Sequence, residues 1–194
     1  MVNCFDLFKT EGRLSPPFPF FYPSHLLRLA IFGKHFINTD FRMSNTLPPF
    51  RDYSGKQIQD VRAYVKNWLT IYPNGEVYVG CDSKVRGSKV KYSTVVCLWK
   101  VGHGVSEIYQ NQIELRPKDS YTRLWNEVTR AVEVADNLKD LARITVHVDI
   151  NSNPKFRSHQ LYDASIGLIT SMGFKGAGKP FSWAASCGAH RHCQ

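Results

Sequence analysis

Three strand-like segments follow one another in the middle of the chain, and only short turns separate them. The first, VYVGCDSK (residues 77–84), places Val77, Val79 and Cys81 on one face and Asp82 on the other. The turns VRGSK and GHG lead into VKYSTVVCLWKV and VSEIYQNQIEL. Consecutive strands joined by tight turns form an antiparallel meander, so this stretch fixes the centre of a sheet.

The segments that follow turn this meander into a mixed sheet. A long helix is expected from Asp119 or Ser120 to about Asp140, and RITVHVDIN (residues 143–151) reads as a fourth strand. Because a helix connects them, the fourth strand is expected to run parallel to its neighbour in the sheet. The sequence therefore predicts an α/β fold with helices on the faces of the sheet.

Weaker patterns predict the remaining elements. Ser54 and Gln57 resemble a capping box, which predicts a helix that begins at Ser54. A further helix is expected over about residues 158–172, with Gly173 as its stop. A fifth strand near residues 180–183 and a short terminal helix complete the prediction.

The first part of the chain differs from the rest. Residues 1–42 include SPPFPFFYPSH, which is dense in proline and phenylalanine and excludes a regular helix. We expect residues 1–42 to be an irregular extension upstream of a natural start at Met43, and residues 43–194 to form a single domain with an N-terminal helix. The alternative is a genuine N-terminal arm that packs on the domain.

Composition narrows the setting. The chain has 25 Lys and Arg against 16 Asp and Glu, a net charge of +9, which favours a polyanionic partner such as nucleic acid. Five cysteines without CxxC spacing favour a reducing compartment. No apolar run reaches the length of a membrane span, so we expect a cytoplasmic protein that does not contact a membrane.

Acidic side chains interrupt three of these buried patterns. Asp82 lies near the end of the first strand and Asp149 near the end of the fourth, so parallel neighbours would bring both to the carboxyl edge of the sheet. On the long helix, Glu127 falls inside the apolar arc, whereas Glu133 points away from it. A buried carboxylate is costly unless it is paired or binds a metal. The simpler alternatives are strand-end turn residues for the aspartates, and a salt bridge to Arg123 or Arg130 for Glu127.

Taken together, GCDSK, LWNEV, HVDIN and KPFSWAAS resemble the YkuK-like group of the ribonuclease H-like superfamily over roughly residues 76–194. The resemblance implies a ribonuclease H-like fold and a divalent-metal site formed by Asp82, Glu127 and Asp149. Relatives tend to carry an aspartate near the C-terminal helix, where this chain has His190. Histidine is a softer ligand than carboxylate and shifts metal preference from Mg²⁺ toward Mn²⁺ or Zn²⁺.

The superfamily's chemistry gives these residues roles. Hydrolysis of a phosphodiester bond by two Mg²⁺ or Mn²⁺ ions requires one bridging carboxylate, for which Asp82 is the candidate. Glu127 and Asp149 would each complete one ion, and His190 or His192 would ligate the second ion or assist proton transfer. An exposed, fraying C-terminal tail is the alternative for His190. The expected function is a metal-dependent nuclease acting on RNA, DNA or a hybrid; the alternative is an inactive module that binds nucleic acid or a protein.

Two further patterns bear on ligands. The candidate nucleic-acid-binding residues are basic and lie on the first hairpin or near the C-terminus: Lys84, Arg86, Lys89, Lys91 and Lys179. A solubilising surface is the alternative explanation. The second pattern is a crowded group that suggests zinc: Cys187, His190, His192 and Cys193. Its spacing is too tight for four ligands from one helix, so the acidic site is preferred.

Overall fold

The structure of the protein is a computed structural model that describes residues 47–194. The extension expected over residues 1–42 and the start expected at Met43 lie outside the described residues. The strands are β1 (Phe50–Asp52), β2 (Gln57–Ile58), β3 (Glu76–Arg86), β4 (Lys89–Lys100), β5 (Gly104–Leu115), β6 (Ile144–Asn151) and β7 (Lys175–Lys179). The helices are α1 (Val61–Ile71), α2 (Ser120–Leu138), α3 (Tyr162–Ser171) and α4 (His190–Cys193), with a 3-10 turn at Arg157–Leu161 and a π-helical turn at Ala184–Ala189.

All seven strands form one mixed sheet in the order β2-β1-β5-β4-β3-β6-β7. The meander of β3, β4 and β5 is antiparallel throughout, as the tight turns between these strands predict. β6 returns through α2 and pairs parallel to β3, with Gly80 opposite His147. The predicted α/β fold, a meander extended by parallel strands and flanked by helices, is confirmed.

The central strand β3 is covered on both faces. Val77, Val79 and Cys81 belong to the main core, against the apolar arc of α2. Tyr78, on the opposite face, packs with Ala184 and Ala189 of the C-terminal segment. Burial on both faces explains why β3 reads as a nearly continuous apolar run.

The helix predicted to begin at Ser54 begins instead at Val61. Asp60 is its N-cap, and the Asp60 carboxylate accepts a hydrogen bond from the Ala63 N–H at 3.0 Å. Ser54 lies in the turn between β1 and β2, where its hydroxyl donates to Asp52 Oδ1 at 2.6 Å. The prediction of a capping box was wrong because the same serine chemistry also stabilises a turn.

The last strand was also misplaced. The structure has β7 at Lys175–Lys179 rather than at residues 180–183. Its sequence, KGAGK, has little strand propensity, but a Cβ at position 178 would lie 2.5 Å from Tyr162 Cε2 and 2.7 Å from the Ile150 carbonyl oxygen. Close packing against α3 and β6, rather than propensity, therefore selects glycine here.

The remaining helices agree more closely with their patterns. α2 begins after the N-cap Asp119, as predicted. The helix expected over residues 158–172 starts as a 3-10 turn and becomes α-helical at Tyr162, and Gly173 follows its end with a φ of +87°. Within residues 47–194, none of the helices has the length and apolar character needed to cross a bilayer.

Candidate metal centre

Asp82 is buried on β3, on the face that the C-terminal segment covers. The residue as a whole is only 6% exposed. Oδ1 accepts a hydrogen bond from the Ser83 backbone N–H at 2.7 Å, and Oδ2 lies 2.7 Å from His190 Nδ1 and 3.6 Å from Cys193 Sγ. The Ser83 N–H therefore fixes Oδ1, and Oδ2 points toward His190 and Cys193 near the C-terminus.

The C-terminal segment is held against β3 and β6 by close packing and buried hydrogen bonds. Gly80 leaves room for the π-helical turn, since a Cβ there would lie 2.5 Å from Ala185 N. The Ala184 N–H donates to His147 Nδ1 at 3.1 Å, and burial lowers the pKa of His147 to about 3, so this ring is a neutral acceptor. The turn leads directly into α4, which carries His190 and Cys193.

Glu127 is the buried acid of α2. It is 3% exposed, and its Oε1 accepts hydrogen bonds from Ser83 Oγ at 2.6 Å and from Arg123 Nη1 at 2.7 Å. Burial raises the pKa of Glu127 to about 8; Ser83 and Arg123 oppose the shift, and the charges of Asp82 and Asp149 add to it. Glu133 is exposed, as the helical arc predicts.

Asp149 is paired with a lysine from the neighbouring strand. Lys179 Nζ lies 2.9 Å from both carboxylate oxygens and donates to Oδ2. Asp149 Oδ1 is buried and accepts no hydrogen bond of good geometry from the described residues. Lys179, predicted to contact nucleic acid, is thus placed beside an acid of the candidate site.

Each of the three acids has its own nitrogen partner: Asp82 has His190, Glu127 has Arg123 and Asp149 has Lys179. The salt bridge between Arg123 and Glu127, an alternative raised by the sequence, is present. Arg130 bonds Glu114 instead. These pairs show local charge pairing, and the metal-binding roles of the three acids remain predictions.

The tightest group of possible ligand atoms differs from the predicted set. Over residues 47–194, the group whose ligand atoms lie within 4.8 Å of one another consists of Asp82, His190 and Cys193. Glu127 and Asp149 are outside it, although the charge of Asp149 acts on Glu127. Both groups of donor atoms suit divalent cations. Glu127 and Asp149 offer carboxylate oxygens, and the group around Asp82 offers oxygen, nitrogen and sulfur.

The rival zinc cluster is split between two environments. His192 lies 3.0 Å from Glu107 Oε1 and stacks on Tyr109, with ring centroids 3.8 Å apart. His190 and Cys193 face Asp82 instead. The terminal segment therefore does not bring its histidines together on one ion.

The sequence patterns gave Cys193 no metal role beside Asp82. Ser83 joins two acids, because its N–H bonds Asp82 and its hydroxyl bonds Glu127. Cys193 is fully buried, and burial, aided by Asp82, raises the pKa of its thiol to about 12. The only available signal was the position of Ser83 directly after Asp82; a contact 111 residues apart in sequence, like that of Cys193, leaves no local pattern.

The basic hairpin lies on the same face as Asp82. Lys84 pairs with Lys91 and Arg86 with Lys89 across β3 and β4, and residues that pair directly point to one face. Lys84 and Arg86 have the same strand parity as Asp82. The hairpin therefore presents four cations on the side of the sheet that carries the candidate site.

The mixed sheet with its flanking helices defines an α/β protein. Its candidate site lies near the carboxyl ends of β3 and β6, where the sheets of α/β proteins usually bind ligands. A family model described as Ribonuclease H-like matches residues 57–194, so the chain belongs to the ribonuclease H-like family. This confirms the resemblance drawn from the sequence motifs. Comparisons with curated proteins and with solved structures gave no significant match.

Proposed function

We propose that this domain is a divalent-metal-dependent nuclease that hydrolyses phosphodiester bonds of RNA, DNA or a hybrid. The observation that carries the proposal is the environment of Glu127. A 3% exposed carboxyl group feels the charges of Asp82 and Asp149, which come from two different strands. A buried carboxyl group whose pKa is raised by burial and by acids from separate elements is typical of a functional site.

The proposed roles follow from these positions. Asp82, Glu127 and Asp149 would hold one or two Mg²⁺ or Mn²⁺ ions, with His190 as a further ligand. When bound, such ions activate water and stabilise charge on the leaving oxygen. Ser83 keeps Asp82 and Glu127 in fixed relative positions, and Arg123 and Lys179 balance the negative charge of the acids.

The substrate class rests on the basic hairpin. Lys84 and Lys91 face each other, as do Arg86 and Lys89, and like charges directly opposite one another are destabilising in a sheet. A phosphate backbone beside the site would relieve that repulsion. Such contacts position a nucleic acid without reading its sequence.

Cleavage assays with Mg²⁺, Mn²⁺ or EDTA on single-stranded RNA, duplex DNA and an RNA–DNA hybrid test the function. We expect metal-dependent cleavage of at least one substrate, and a loss of about 10²-fold or more in Asp82→Asn, because a ligand of the reacting centre is lost. Asp136→Asn, on the exposed side of α2, is the matched control and should retain full activity. Absence of cleavage by the unaltered protein in every condition, with nucleic-acid affinity unchanged in Asp82→Asn, would show a binding module instead.

A further inference from the structure

We propose that Asp82, His190 and Cys193 form a three-ligand site for a thiophilic divalent ion such as Zn²⁺, with Cys193 bound as thiolate. The biological purpose of this ion rests on the proposed hydrolase function, because Asp82 and His190 belong to both sites. Its binding does not, and it can be measured without any substrate. The proposal differs from the zinc cluster suggested by the sequence, since neither Cys187 nor His192 takes part.

The separations of the donor atoms fit one small ion. Ligands around tetrahedral zinc lie roughly 3.3–3.6 Å apart, given bond lengths of about 2.0–2.3 Å. Asp82 Oδ2 and Cys193 Sγ are 3.6 Å apart, and the three donors lie within 4.8 Å of one another. Only the pair of Asp82 Oδ2 and His190 Nδ1, at 2.7 Å, is closer than an ion requires. The His190 side chain is 54% exposed, so its ring has space to withdraw.

Neighbouring groups orient these ligands. Ser83 N–H holds Asp82 Oδ1, which leaves Oδ2 for the site. His190 Nε2 lies 2.7 Å from the side-chain amide of Gln194. A metal at Nδ1 would place the ring proton on Nε2, where the amide oxygen of a rotated Gln194 side chain could accept it. Outer hydrogen bonds of this kind fix the tautomer of metal-bound histidines.

Cys193 is placed as a ligand by the fold around it. Its side chain is fully buried, and Sγ makes contacts with Asp82 Oδ2 and with the His190 carbonyl oxygen at 3.2 Å. A coordinating thiol is deprotonated by the ion that it binds. Sulfur and imidazole donors favour Zn²⁺ and similar ions over Mg²⁺, and three protein ligands leave one position open.

Cobalt(II) serves as the spectroscopic probe, titrated into the full-length, metal-free protein in anaerobic buffer. We expect one equivalent to give the visible bands of tetrahedral cobalt and a near-ultraviolet thiolate-to-cobalt band, both displaced by Zn²⁺. Cys193→Ser should lose the near-ultraviolet band and bind at least roughly 10–100-fold more weakly, the loss that removing even an outer-shell partner causes. Cys97→Ser is the matched control, because Cys97 is also a buried free thiol and pairs with Tyr78, four residues before Asp82 on β3.

A second variant separates loss of a ligand from loss of the fold. Cys193→Asp restores a donor but not a thiolate, so it should bind metal without the near-ultraviolet band and shift its preference toward Mn²⁺. Circular dichroism checks the folding of both variants. Weak octahedral cobalt binding without a thiolate band in the unaltered protein would overturn the proposal, as would an unchanged band in Cys193→Ser. Neither result bears on nucleolytic cleavage, which the separate assay with Mg²⁺ and Mn²⁺ measures.

Discussion

At the scale of single residues, Glu127 shows how burial and its hydrogen-bond partners together set the protonation of one carboxyl group in the candidate site. A carboxyl group on the apolar arc of α2 loses its hydration when the helix packs, and burial alone would keep it protonated. Arg123 and the Ser83 hydroxyl recover part of that loss through Oε1. The pKa nevertheless remains at about 8, so near neutral pH the metal-free protein holds Glu127 largely in its protonated form.

This raised pKa predicts the pH dependence of stability in the metal-free protein. The folded-state pKa of about 8 lies above the ordinary value of 4.5, so the folded state binds more protons between these values. The contribution of Glu127 is complete below about pH 4.5 and is lost as the pH rises through 8. In Glu127→Gln, which cannot ionise, the free energy of unfolding should fall less across this window. Urea unfolding in EDTA at several pH values measures it.

Glu133→Gln is the control for this experiment, because Glu133 lies on the exposed side of the same helix. It should leave the pH profile of the free energy of unfolding unchanged. Equal profiles for Glu127→Gln and the unaltered protein would contradict the placement of Glu127 in a desolvated site.

The residues of the candidate site differ in how far the sequence could predict them. Asp82 and Glu127 were predictable because each breaks the apolar pattern of its own element. Ser83 and Cys193 break no pattern, and their partners become neighbours only when β3, α2 and the chain terminus pack. Arg123 lies one helical turn before Glu127, so that salt bridge could be proposed from the sequence, whereas the bonds of Ser83 and Cys193 could not.

At the scale of elements, the π-helical turn decides where His190 and Cys193 lie. It packs directly on Gly80, whose missing side chain gives the backbone of Ala184 and Ala185 room to approach. His147 accepts the Ala184 N–H on the same face, so β3 and β6 both hold the turn. The neighbouring parallel strands β3 and β6 thus position the turn, which begins more than a hundred residues after Gly80 in the chain.

Gly80→Ala tests this packing. The added Cβ would lie 2.5 Å from Ala185 N and 2.7 Å from the Ala184 carbonyl carbon, and the backbone on that side cannot rotate away. We expect a loss of about 1–3 kcal/mol in the free energy of unfolding. We also expect weaker metal binding, because the displaced turn leads into α4, which carries two ligands of the proposed zinc site. Urea unfolding and cobalt titration measure the two effects.

Gly167→Ala, in α3, is the matched control, since a Cβ there meets nothing within 4 Å. Alanine in a helix interior should leave stability unchanged or raise it by up to about 1 kcal/mol. The same response from both variants would mean that contact with the turn does not explain Gly80.

Elements were predictable to the degree that local pattern determined them. β3 to β6 and α2 alternate or repeat with a clear period, and the structure contains them. β7 is rich in glycine because Tyr162 and Ile150 lie against it, a reason that belongs to tertiary packing. The start of α1 was misjudged because Ser54 fits both a helix cap and the turn that it occupies.

At the scale of the whole molecule, positive charge lies beside negative charge. The chain carries a net charge of +9, yet the charges of Asp82 and Asp149 both act on the buried Glu127. The hairpin of β3 and β4 places its cations on the face to which Asp82 points, and the charge of Lys91 acts on Cys193. A polyanion bound along the hairpin would therefore reach the acidic edge.

The salt dependence of nucleic-acid binding tests this arrangement. Each phosphate contact contributes roughly −0.7 to −0.9 to the slope of log affinity against log salt concentration, so Lys84→Gln with Lys91→Gln should reduce the magnitude of the slope by roughly 1.5. The double variant also removes a like-charge pair, so its free energy of unfolding should stay constant or rise, which separates weaker binding from unfolding. Lys66→Gln with Lys139→Gln, on α1 and after α2, removes the same charge elsewhere and should leave the slope unchanged. Equal slopes for the two double variants, measured by fluorescence anisotropy, would assign the hairpin charges to solubility rather than to binding.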